Sequence, residues 1–176
     1  MVSTILFCAG CTPTTPEGEL ALDPTVRWVD DRLVVDTGLA FRPGPAIREA
    51  LEHGVELQID VELRLGRRYG PVAHELETRV HSLRIRYLPL LEQWQVEEGA
   101  TTRTFPRLWL LRDALAEPRQ LPTGLTRAAT EQRPLQLQVR ARINRDALPA
   151  PMHLPTLFSA EWHPGGTWHT WHFGPS

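Results

Sequence analysis

The sequence predicts a mainly β domain, with α+β as the variant: an antiparallel β-sandwich or curved sheet of about six to eight strands with two short helices. Three observations carry that reading. Apolar and polar residues alternate along several stretches, and only two segments show helical spacing. The chain has 176 residues, 41% hydrophobic and 23% charged, enough for one domain with a real core, since about 150 residues bury roughly two-thirds of their surface.

Taken in order, Val26 to Val29 form a weak first strand. Leu33, Val35, Thr37, Leu39 and Phe41 then share one face of a single strand. Pro45 to His53 read as a helix: Pro stands in the first turn, Ala46, Ile47, Ala50 and Leu51 make one stripe, and Gly54 stops it. Val55, Leu57, Ile59, Val61, Leu63 and Leu65 alternate with Glu56, Gln58, Asp60, Glu62, Arg64 and Gly66. Leu83, Ile85 and Tyr87 alternate with Ser82, Arg84 and Arg86, and Gln93 to Glu97 add a further strand. Pro106 to Ala116 form the second helix, with Leu108, Leu111 and Leu115 on its stripe and Pro118 beyond it. The Pro-rich runs Pro118 to Pro134 and Pro149 to Pro155 read as ordered loops. Between them, Leu135, Leu137, Val139, Ala141 and Ile143 alternate with Gln136, Gln138, Arg140 and Arg142. Thr167 to Phe173 close the domain as a last strand. Such alternation means antiparallel sheet with one face buried and one in water.

The chain divides into a signal or lipobox-like segment over residues 1–11, a Thr/Pro-rich tether over 12–24 and a single β-rich domain over 25–176. The apolar run Val2 to Gly10 has the size of a secretory signal core and not of a membrane span. Ala9-Gly10-Cys11 resembles the end of a bacterial lipobox, which makes Cys11 the candidate lipidation site. The competing reading is a Cys8-x-x-Cys11 redox or metal pair.

The formal charge is −2, from 19 basic and 21 acidic residues, and every basic residue is Arg. No lysine means no Schiff-base amine and no P-loop or kinase lysine. Near-neutral charge argues against nucleic acid as a partner. Serines stand only at Ser3, Ser82, Ser159 and Ser176, outside any G-x-S-x-G elbow. His74-Glu75 lacks the second histidine of H-E-x-x-H. No catalytic residue and no cofactor are indicated, and the expectation is that the protein is not an enzyme.

Three clusters remain. His163 and His169, with a carboxylate such as Glu161, are weak candidates for a metal site, because the turn Pro164-Gly165-Gly166 can bring the two rings together. His172, three residues from His169, points to the opposite strand face. Trp162, Trp168 and Trp171 form a possible binding surface; Trp168 and Trp171 cannot share a face, so at least one enters the core. Arg64, Arg67, Arg68, Arg84 and Arg86 gather near Glu56, Asp60 and Glu62, and cross-strand pairing of those acids with Arg84 and Arg86 makes a solvated, salt-bridged face.

Several segments together resemble domain-of-unknown-function family 4390, an uncharacterised bacterial group. They are Ala50-Leu51-Glu52-His53-Gly54-Val55, Arg64-Leu65-Gly66-Arg67-Arg68, Leu83-Arg84-Ile85-Arg86-Tyr87, Gln93-Trp94-Gln95-Val96 and Thr104-Phe105. Leu148-Pro149-Ala150-Pro151-Met152, Glu161-Trp162 and Trp168-His169-Thr170-Trp171-His172-Phe173 continue the series. The resemblance implies an exported or membrane-anchored amino terminus and carries no catalytic residues. It also implies an association with a membrane sensor kinase. The leading expectation is therefore a non-enzymatic cell-envelope binding or accessory domain, anchored to the membrane on the periplasmic side. A metal-dependent enzyme using the carboxy-terminal histidines and a peptide-strand binding module are the alternatives.

Overall fold

The alternating segment Leu135–Ile143 forms a strand whose burial alternates at every residue, and the largest sheet grows outward from it. A computed structural model describes the chain over residues 18–69, 72–152, 156 and 162–174. Its strands are β1 (Glu19–Leu22), β2 (Thr25–Val29), β3 (Arg32–Thr37), β4 (Leu39–Arg42), β5 (Leu57–Tyr69) and β6 (Val72–Leu88). They continue with β7 (Gln93–Glu98), β8 (Thr101–Phe105), β9 (Arg119–Thr126), β10 (Leu135–Ile143) and β11 (His169–Phe173). The helices are α1 (Pro45–Glu52), α2 (Leu108–Ala116) and α3 (Arg127–Gln132).

A six-stranded sheet runs in the order β11-β10-β5-β6-β7-β8, with every pairing antiparallel. Two smaller sheets, β1-β4 and β2-β3-β9, lie apart from it. One face of the large sheet supplies Leu57, Ile59, Val61, Leu63, Leu83, Ile85, Leu137 and Val139 to the core. Against them pack Leu33 and Val35 of β3, Leu39 and Phe41 of β4, Ile47 and Leu51 of α1, and Leu111 and Leu115 of α2, in one continuous cluster. The fold is mainly β with a few helices, as the alternation predicts. No helix among the described residues is long and apolar enough to cross a membrane.

The differences have local causes. Leu33 to Phe41 bury every second residue as expected, but the run is two strands in two sheets, broken at Gly38. A Cβ at Gly38 would stand 2.8 Å from the Ala116 carbonyl carbon at the end of α2, and closer still to its oxygen, so only glycine lets the chain pass there. The Pro118 to Pro134 run, expected as loop, holds β9 and α3. Pro122 is tolerated because β9 is an edge strand, where a missing N–H breaks no ladder. Residues 19–22, assigned by sequence to the tether, pair with β4, so the folded part reaches back past residue 25. The amino-terminal segment over 1–11, with Cys8 and Cys11, lies outside the described residues, as does Glu161.

Gly38→Ala forces the end of α2 away from the β3–β4 break, and overpacking of this kind costs about 2–3 kcal/mol. Urea unfolding of the variant should show a lower midpoint at unchanged slope; an unchanged midpoint would mean that the close approach to Ala116 is not a constraint.

Candidate binding surface on the outer sheet face

Strand β5 is buried on both faces. Its apolar residues enter the core, yet Asp60 and Glu62, on the opposite face, are only 2% and 4% exposed. Their partners come from β10, where Arg140 stands opposite Glu62 and Arg142 opposite Asp60. Arg140 donates through Nε at 2.9 Å and Nη2 at 2.8 Å to Glu62 Oε2. Arg142 Nε donates to Glu62 Oε1, and its Nη2 lies 3.5 Å from Asp60 Oδ2. Asp60 also accepts from Ser82 Oγ at 2.7 Å, Gln58 Nε2 at 2.9 Å and Asn144 Nδ2 at 2.9 Å. Every carboxylate oxygen of the pair is thus occupied, the condition under which buried charge is tolerated.

Burial alone would raise the Glu62 carboxyl, but hydrogen bonds from Arg142 and Arg140, then their charges, carry it below the ordinary carboxylate range. The same contact, working against burial, raises the Arg142 guanidinium. A general acid needs the opposite tuning, toward neutrality. Glu62 is held ionised.

Trp168 covers this network. Its ring centroid lies 4.3 Å from the Arg140 guanidinium carbon and 4.6 Å from that of Arg64, within cation–π range. Beside it opens a groove of about 160 Å³ lined by Arg64, Leu65, Gly66, Glu75, Gln136 and Gln138. Two amides, a guanidinium and a carboxylate next to an indole suit a polar ligand or side chain. A second groove, of about 490 Å³, is lined by Val80, His81, Ser82, Arg84 and Glu97 among others. Burial there lowers the His81 imidazole, and its Nε2 has no hydrogen-bond partner among the described residues.

The other two tryptophans of the expected surface do not belong to it. Trp162 is 5% exposed within the core, and Trp171 stands opposite Leu137 and packs on the core. Period-two geometry puts Trp171 and Trp168 on opposite faces, as the spacing requires. His169 shares the core side with Trp171 and stacks on its ring at 6.4 Å. His163 is exposed and contacts Arg145. Among the described residues no three His, Cys, Asp or Glu side chains are placed to hold a metal ion.

The charged face exists with different pairings from those expected. Arg84 and Arg86 pair with Glu97 of β7, not with Asp60 and Glu62. Alternation alone could not show which neighbour each side of β5 and β6 meets. The run Gln136, Gln138, Arg140, Arg142 was the available signal for β10 as the partner.

Because the native Glu62 pKa is lowered, the unfolded chain takes up the proton first on acidification. Its contribution is complete above the ordinary value of about 4.5 and is lost as pH falls through the native pKa. His81 acts in the same sense at higher pH: below about 6.5 the unfolded imidazole charges while the native one resists. Urea midpoints should therefore fall in two stages on acidification. His81→Gln should remove the upper stage, and Glu62→Gln should remove the lower one while costing about 2–4 kcal/mol at pH 7. A wild-type midpoint unchanged from pH 8 to pH 5 would contradict the His81 assignment, and one unchanged from pH 5 to pH 2 would contradict the Glu62 assignment.

No curated protein and no solved structure matches the chain significantly. One family model does, over residues 23–172, from just before β2 into β11. With most of its length and almost the whole of this fold covered, the chain belongs to the family described as Domain of unknown function (DUF4390).

Proposed function

We propose that this chain is a non-catalytic binding or accessory domain of the bacterial cell envelope, anchored to the membrane through Cys11 on the periplasmic side. The observation that carries the non-catalytic reading is the state of Glu62. The buried carboxylate best placed for chemistry is taken up by two arginines and kept ionised. A fixed, charge-paired face capped by Trp168, with a polar groove beside it, suits holding a partner and not moving protons.

The anchoring reading rests on Ala9-Gly10-Cys11 and on the tether behind it. From Thr12 to Gly18 the chain is Thr/Pro-rich, and β1 starts at Glu19. At roughly 3.3–3.6 Å per residue, seven residues can span at most about 25 Å, an upper bound that allows a domain to stand just clear of a bilayer surface. A membrane protein of the same compartment, with a sensor kinase as the class the family resemblance suggests, is the partner within that reach.

Expression in a bacterial host with the native upstream sequence and labelled palmitate should give a labelled, membrane-fractionating protein. Cys11→Ala should abolish both label and membrane association. An unlabelled cytosolic wild type would sink the anchor, and membrane association that survives Cys11→Ala would transfer it to another feature.

A further inference from the structure

The large sheet has an uncovered edge. Strand β6 has 17 residues, and β5 pairs along it from Val72 to Ile85. On its other side β7 pairs only with Leu83 to Leu88, because the chain turns back at Gly99. From Glu75 to His81, no strand among the described residues covers that side. Residues 75–78 and Val80 are exposed, including two apolar side chains, Leu76 at 54% and Val80 at 50%. In an antiparallel strand alternate residues aim both N–H and C=O to one side, so this stretch presents an open ladder. Long open edges of this kind template strand addition unless something guards them.

The residues along the edge indicate what fits it. The sequence is Glu75-Leu76-Glu77-Thr78-Arg79-Val80-His81, and its centre, Glu77-Thr78-Arg79, is complementary to itself when run antiparallel about Thr78. In that register Thr78 faces Thr78 and Glu77 faces Arg79, up to the bulge at Leu76, where the register ends. The Glu77–Arg79 pair then occurs twice about a two-fold axis through the single Thr78–Thr78 pair, the isologous arrangement of a symmetric dimer. Charges that would guard the edge against a like-charged strand become attractive toward this one. Glu77 and Arg79 lie 2.7 Å apart within one chain and are 47% and 38% exposed, so an added copy would extend the pair into a four-charge cluster. The bulge at Leu76, where Leu65 faces Glu77 and Gly66 faces Glu75, bends the strand.

We infer that the β6 edge centred on Thr78 pairs with the same edge of a second copy of this chain, joining two large sheets into one across a two-fold axis at Thr78. Sedimentation of the purified full-length chain over a concentration series tests this. Wild type should show a concentration-dependent monomer–dimer equilibrium. Arg79→Glu and Glu77→Arg each set like charges face to face, and each alone should raise the dissociation constant at least tenfold. An equimolar mixture of the two variants should recover wild-type affinity, since the two acids that one variant carries at positions 77 and 79 then meet the two arginines of the other. Neither variant regains its own intrachain pair in the mixture, so recovery cannot come from repaired folding; circular dichroism of each variant alone checks that it is folded. A wild type that stays monomeric at high concentration would leave the edge to a foreign strand and overturn the proposal. Single variants that dimerise like wild type, or folded variants whose mixture shows no recovery, would overturn it too.

Discussion

The pairing of β5 with β10 does two jobs with one ladder. On one face Ile59, Val61 and Leu63 of β5 stand opposite Ile143, Ala141 and Val139 of β10 and form the floor of the core. On the other face the same register sets Arg140 against Glu62 and Arg142 against Asp60. A slip of one residue would send every apolar side chain to water and both carboxylates into hydrocarbon. Hydrophobic burial supplies most of the driving force. The ion pairs make the wrong registers unfavourable, because an unpaired buried carboxylate costs far more than a paired one gains. With this pair fixed, β6 and β11 are placed on its flanks, and the opposing small sheets and helices have a surface to cover.

How much of this could be read from the sequence depends on what each segment buries. Leu135 to Ile143 and Leu57 to Leu65 were legible because one face of each enters the core and writes a period of two into the residues. The first half of β6 was not. Residues 74–80, His-Glu-Leu-Glu-Thr-Arg-Val, lie on an edge where almost nothing is buried, so no period is imposed. β9 was hidden by Pro122, a residue that is admissible only at an edge. The break at Gly38 was invisible for another reason: burial continues through it, and what demands glycine there is the approach of Ala116 from a distant helix. The candidate site was half legible. Residue types and faces could be read, whereas the partner of each charge depends on strand order, which alternation does not encode.

The same principle explains why the carboxy-terminal aromatic cluster separates. His169 and Trp171 lie on the core side of β11, and Trp168 precedes the strand on the outer side. A tail that looked like one cluster in sequence thus contributes to two surfaces. Its core half seals the sheet edge at β10. Its outer half caps the arginines, and the indole shields them from water on the one face where charge is buried. Shielding raises the strength of the ion pairs beneath.

The absence of lysine from the chain bears directly on this architecture. Glu62 is reached from β10 by two side chains, one of them through two nitrogens and the other shared with Asp60. A guanidinium fork can make such divided contacts while lying flat beneath an aromatic ring; an ammonium is a hydrated point charge that can do neither well. The outer edge works by the same chemistry. Lysine is the usual guard of a free strand edge because its long stem keeps a hydrated charge in the way of an incoming strand. Arg79 instead lies along β6 against Glu77 and close to Gly124 of β9, leaving the ladder clear. A protein that solves buried and exposed charge alike with arginine gains fixed geometry at both places, and fixed geometry is what a surface needs in order to hold a partner in one orientation.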